Sequence, residues 1–169
     1  MNTQSNLQLK PMSLSNKKDK IFASCLEKAS ESNLLFRHGC IATYSGKIIA
    51  RGCNTYNNYS RDMFFNNSCS CHAEINVLRQ IYYNTKKKRK LNKIMKKTTL
   101  YISRCSTLRA STDSAPCVDS LKMIKKLNVK KMVFNMNEEY YVTNPKNYYS
   151  THKTMGRHRL DSIEKNIKL

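Results

Sequence analysis

The chain has 169 residues, with 31 Lys and Arg against 11 Asp and Glu and a formal net charge of +20. That length suits one domain with its own core rather than two. Apolar stretches such as Ile48-Ile49-Ala50 are too short for a membrane span, and the first twenty residues lack the apolar core of a signal peptide. An intracellular, cytoplasmic protein is therefore expected, with its seven cysteines reduced, and an odd number cannot all pair internally. Lys occurs 22 times, Asn 18 times and Gly 4 times, a balance typical of A/T-rich coding sequence, so codon usage accounts for part of the charge.

Residues 1–16 are polar and without period, and read as a flexible tail before one domain over 17–169. Ile21, Phe22, Cys25, Leu26 and Ala29 recur at helical spacing and predict a first helix ending near Ser32. Cys40–Tyr44 and Lys47–Arg51 flank Ser45-Gly46 and predict a hairpin. Gly52 to Cys71 reads as a long polar loop. Ala73, Val77 and Ile81 predict a second helix from His72 to about Tyr83. A Lys-rich loop is expected at 86–97, where eight of twelve residues are Lys or Arg; no acid occurs between Glu74 and Asp113.

Thr99–Ser103 is a strand candidate, and 104–115 a polar insert. Pro116 suits the start of a helix whose apolar face is Val118, Leu121 and Ile124. Lys131–Phe134 reads as the next strand, and the remainder is mixed and basic. The order helix, strand, strand, helix, strand, helix, strand predicts an α/β fold: a mixed sheet with helices on both faces.

Two segments carry chemistry: Cys71-His72-Ala73-Glu74 and Pro116-Cys117-Val118-Asp119-Ser120. Each falls at a predicted helix start. Zinc accepts imidazole nitrogen and thiolate sulfur, and the positive end of a helix favours the thiolate form of a cysteine placed there. His-x-Glu sets a metal donor and a carboxylate close together in one turn, so the carboxylate can move protons without ligating the metal.

These residues resemble the signature of the zinc-dependent cytidine and deoxycytidylate deaminase superfamily, His-x-Glu followed by Pro-Cys-x-x-Cys. Gly52-Cys53-Asn54 after the hairpin is similar to the family's Gly-x-Asn. The resemblance implies a three-layer α/β/α fold, a Zn²⁺ cofactor, and homo-oligomers. It makes His72 and Cys117 metal ligands, Glu74 the general acid/base, and Asn54 and Ala73 substrate contacts. The family's last Cys falls on Ser120, a hydroxyl that ionises far less readily than a thiol. Three readings stay open there: Ser120 or a water completes a weakened site, Cys105 stands in for the missing thiol, or the site is dead. Cys71 would need an awkward backbone to share a metal with His72.

The implied reaction is hydrolytic deamination of a cytosine nucleoside or nucleotide. The alternatives are a catalytically inactive protein of the same fold that binds nucleic acid or a partner, and a deaminase of bases in RNA or single-stranded DNA. The basic run has three readings: a solvated surface, a nucleic-acid footprint, or attraction of a phosphorylated mononucleotide. Cys25, Cys40 and Cys53 sit in apolar patterns and read as core. His38, His152 and His158 are expected in surface or capping roles.

Overall fold

The structure, a computed structural model, describes residues 9–57, 59–62, 69–85, 87–108 and 110–167. The first helix is α1 (Asn16–Ser30), followed by the hairpin β1 (Arg37–Tyr44) and β2 (Lys47–Cys53). Then come α2 (Ala73–Asn84), α3 (Lys88–Met95), β3 (Thr98–Cys105), the two-residue β4 (Ser111–Thr112), α4 (Val118–Lys126), β5 (Lys131–Met136), β6 (Glu139–Thr143) and α5 (Met155–Ile167). All seven expected elements are present. The helix expected at Pro116 begins two residues later, with Cys117 as its N-cap.

The sheet runs β2-β1-β3-β5-β6. β3 and β5 are parallel, and the other neighbours on this path are antiparallel. Ser45 and Gly46 both take positive φ, as a two-residue hairpin turn requires. Helices cover both faces, and alternation along the strands decides which face each side chain meets. Ile41, Tyr101 and Val133 turn toward Ile21, Phe22 and Cys25 of α1. Cys40, Ala42, Leu100, Ile102, Met132 and Phe134 turn the other way, toward Val77 and Leu78 of α2 and Ile124 of α4.

Several expectations need correction. The Lys-rich segment is not a loop throughout: Leu91 and Met95, at i and i+4, are buried, and this apolar edge winds residues 88–95 into α3. The insert after Ile102 folds back as β4, which pairs Thr112 with Arg104 and Ser111 with Cys105. Within the expected tail, residues 1–8 lie outside the described residues. Residues 9–15 are docked, because Met12 N–H donates to Tyr140 C=O at 2.8 Å and Leu9 and Leu14 pack on the two core clusters. Cys25 and Cys40 are buried as expected, whereas Cys53 is only half-buried at the end of β2. Among the described residues, no helix is long and apolar enough to cross a membrane.

Candidate active site

α2 and α4 pack against each other, and the residues that cap their N-termini are His72 and Cys117. Both caps have extended backbone, which turns each side chain out of its helix and toward the other. His72 Nδ1 lies 3.3 Å from Cys117 Sγ and 2.9 Å from Ser120 Oγ. Ser120 N–H donates to Cys117 Sγ at 3.5 Å, so the helix supplies a donor to the sulfur. Ser120 itself is fully buried.

Glu74 lies in the first turn of α2, buried, and lines the same cavity as His72 and Cys117. Ala73, between His72 and Glu74, points its side chain into the core instead. Asn54 lines the cavity but is also structural: Oδ1 accepts from His38 N–H at 2.9 Å and Nδ2 donates to Phe36 C=O at 2.7 Å. An amide side chain has two donor hydrogens and two acceptor lone pairs, so one of each remains for a ligand.

Cys105 does not join this group. It is buried at the end of β3, opposite Arg37 on one side and Ser111 on the other. Among the described residues, no three His, Cys, Asp or Glu side chains gather as a metal site. Cys71 donates to the carbonyl of His72 at 3.6 Å, and burial pushes its thiol up to about 11.

The residues that could hold zinc are thus His72, Cys117 and Ser120. His72 Nδ1 is within hydrogen-bond reach of both other groups, closer than the roughly 3.3–3.7 Å between donors on one tetrahedral ion with bonds of about 2.0–2.3 Å, so holding zinc would need them to move apart slightly. The set fits zinc through one imidazole and one thiolate, with a weak hydroxyl as the third donor. Burial alone would lower the pKa of His72, but the hydrogen bond and charge of Cys117, helped by Glu74 and Asp119, hold it up at about 9. Zinc must displace that proton in order to bind.

The cavity holds about 1140 Å³. His72, Glu74 and Cys117 line it, and so does the segment before and into α5. That segment is tied down at both ends: Val118 N–H donates to His152 C=O at 2.9 Å, and Cys69 Sγ donates to Gly156 C=O at 3.5 Å. The first bond satisfies a donor that the start of α4 would otherwise leave open.

Sequence reasoning missed several lining residues. His38 is not a surface residue but part of the cavity wall. Burial lowers its pKa to about 3, with the charges of Arg104, His72 and His152 adding, so it is neutral there. Counting straight back across the Ser45-Gly46 turn would set it opposite Cys53; the bulge between Ala42 and Thr43 moves the register by one and brings it beside Asn54, so the sequence carried no direct signal for this role. His152 also lines the cavity. Arg104, Lys122 and Lys126 bring positive charge to it, and the Arg104 guanidinium lies 5.0 Å above the Phe36 ring.

A family description, the cytidine and deoxycytidylate deaminase zinc-binding region, matches residues 15–136. No match is found among curated proteins. Among solved structures, the chain is similar to a cytidine deaminase from Burkholderia pseudomallei, with a TM-score of 0.54 and 14% identity, covering 78% of this chain and 94% of that one. It is also similar to a dCMP deaminase from the cyanophage S-TIM5, solved with dCMP and dUMP, with a TM-score of 0.49 and 21% identity, covering 72% of this chain and 82% of that one. The family match spans most of the chain, and the fold agrees with it: this chain belongs to the cytidine and deoxycytidylate deaminase family.

Proposed function

We propose that the chain is a zinc-dependent hydrolase that removes the exocyclic amine of a cytosine nucleotide. The observation that supports this reading is the meeting of His72 and Cys117 in one cavity with the buried carboxyl of Glu74, with the buried Ser120 hydroxyl against His72 Nδ1. His72 and Cys117 would hold the ion, with Ser120 as the weak third donor. When bound, zinc supplies Lewis acidity that makes a water easier to deprotonate near neutral pH. Glu74 takes a proton from that water as its oxygen bonds to the carbon bearing the amine. The same carboxyl would pass that proton to the ring nitrogen, then take the second proton from the hydroxyl now on the carbon and give it to the amine, so that the carbonyl forms as ammonia leaves.

Asn54 and His38 form part of the wall beside these groups. Neutral at physiological pH, His38 offers a hydrogen bond to the base or sugar without adding charge. Lys122 and Lys126 follow Cys117 on one face of α4 and, with Arg104, favour a phosphorylated substrate over a nucleoside.

The test is the metal content of the purified protein, together with ammonia release from dCMP, CMP, deoxycytidine and cytidine. Zinc near one per chain, with turnover of a nucleotide that Glu74→Gln abolishes, supports the reading. A second reading, a protein of this fold without catalysis, is favoured by the hydroxyl at Ser120. It predicts no turnover of any of the four even when zinc is added in excess.

A further inference from the structure

α3 gathers charge in a way its own stability does not ask for. Lys87, Lys88, Arg89, Lys90, Lys93, Lys96 and Lys97 are all exposed, because the buried Leu91 and Met95 take the inner edge. Among the described residues none of the seven is in an ion pair. Lys87 and Lys88 stand at the N-terminus, where the helix dipole disfavours cations, and no side chain caps that end. Arg89 and Lys93 repel at i, i+4, and Lys90 and Lys93 at i, i+3. Codon usage can add lysines, but it does not explain the absence of interspersed acids along this helix.

Beside α3 lies a groove of about 410 Å³ between the end of α2 and the edge strand β2. Ile49, Ile81, Ile94 and Tyr44 line it, Lys90 and Lys93 lie along it, and no acid among the described residues does. Ile49 reaches it through a bulge: Thr43 pairs with Ile48 and Ala42 with Ala50, so Ile49 is left without a partner and exposed. Apolar and aromatic surface next to a row of cations is the pairing that single-stranded nucleic acid meets, with bases on the former and phosphates on the latter. The groove lies at the C-terminal end of α2, whereas His72 caps the N-terminal end, about 18 Å away along a helix of twelve residues.

We propose that the α3 face and its groove bind single-stranded nucleic acid at a site separate from the deaminase cavity. This inference does not depend on the proposed catalysis, so either can fail alone.

The test is fluorescence anisotropy of the full chain with labelled 20-nucleotide oligo(U) and oligo(dT), over a range of salt concentrations. Expected are micromolar or tighter binding at low salt, a steep loss with added salt, and a loss of at least tenfold in Lys90→Glu/Lys93→Glu. The pair Lys20→Glu/Lys146→Glu, which removes equal charge from elsewhere on the surface, should change binding less than threefold. Ile49→Asp should weaken oligonucleotide binding but leave binding of inorganic polyphosphate nearly unchanged. Circular dichroism checks that each variant is folded. The proposal is overturned if polyphosphate competes as well as the oligonucleotide per phosphate, or if anionic phosphatidylserine vesicles bind α3 while oligonucleotides do not. It is also overturned if Lys122→Glu/Lys126→Glu, at the cavity, abolishes binding while Lys90→Glu/Lys93→Glu does not.

Discussion

Ser120 Oγ lies 2.9 Å from His72 Nδ1, so the hydroxyl is bonded to the nitrogen that a metal at this place would need. Cysteine and serine differ here in one atom, and the backbone that positions it is already formed by the first turn of α4. Ser120→Cys should therefore raise zinc affinity without disturbing the fold. Disturbing a partner outside the ligand shell changes metal affinity by about 10–100-fold, and a gained thiolate should do at least that much. Competition with a chromogenic chelator measures it. Equal affinities in the two proteins would mean that the three side chains do not share an ion.

Glu74 is buried and faces the same cavity as His72 and Cys117. Glu74→Gln keeps the shape and removes the group that accepts a proton. Turnover is expected to fall by about 100- to 10,000-fold, the usual worth of a general acid/base, while zinc content stays the same. If zinc is lost along with activity, the carboxyl is holding the metal and not the proton.

His38 gives stability a pH dependence. Its folded pKa, about 3, lies below the ordinary 6.5, chiefly through burial, with the charges of Arg104, His72 and His152 adding. Between those values the unfolded chain binds the proton and the folded chain does not. The stability His38 contributes is complete above about pH 6.5 and is lost as the pH falls toward 3, by up to about 1.4 kcal/mol per pH unit. Urea unfolding at pH 7 and pH 5 should show His38→Gln losing less stability on acidification than the parent chain.

Gly39 sits where α1 crosses β1. A Cβ there would lie 2.3 Å from the Cys25 carbonyl oxygen and 2.6 Å from the Ala29 nitrogen, both backbone atoms of α1. Helix backbone cannot move aside as a side chain can. Gly39→Ala should cost about 3 kcal/mol, the upper end of ordinary overpacking, read as a lower urea midpoint. A midpoint like that of the parent would mean that α1 does not cross so closely.

The elements with strong apolar periodicity are legible in the sequence: α1, the hairpin, α2, β3, α4 and β5. Both chemistry-bearing segments read as helix starts, and the structure puts His72 and Cys117 at the two N-caps. The rest was hidden for physical reasons. In α3, four solvated cations, with three more directly flanking it, outnumber the two buried apolar residues and mask them. β4 is too short to show a period, and pairing with the end of β3 alone makes it a strand. In β6 only Tyr141 of five residues is buried, so alternation is faint. The role of His38 depends on hairpin register, and the bulge at Ile49 shifts that register by one.

The segment from Tyr148 to Leu160 supplies much of the cavity lining, yet it lies beyond the span 15–136 matched by the family. The chemical groups of the cavity and a large part of the wall around them are therefore encoded in different stretches of chain. Substitutions after residue 136 can alter which molecule is admitted while leaving the His72, Glu74 and Cys117 cluster untouched. A relative sharing every residue of that cluster could thus accept a different substrate, and exchanging the C-terminal stretch between two such chains should carry the preference with it.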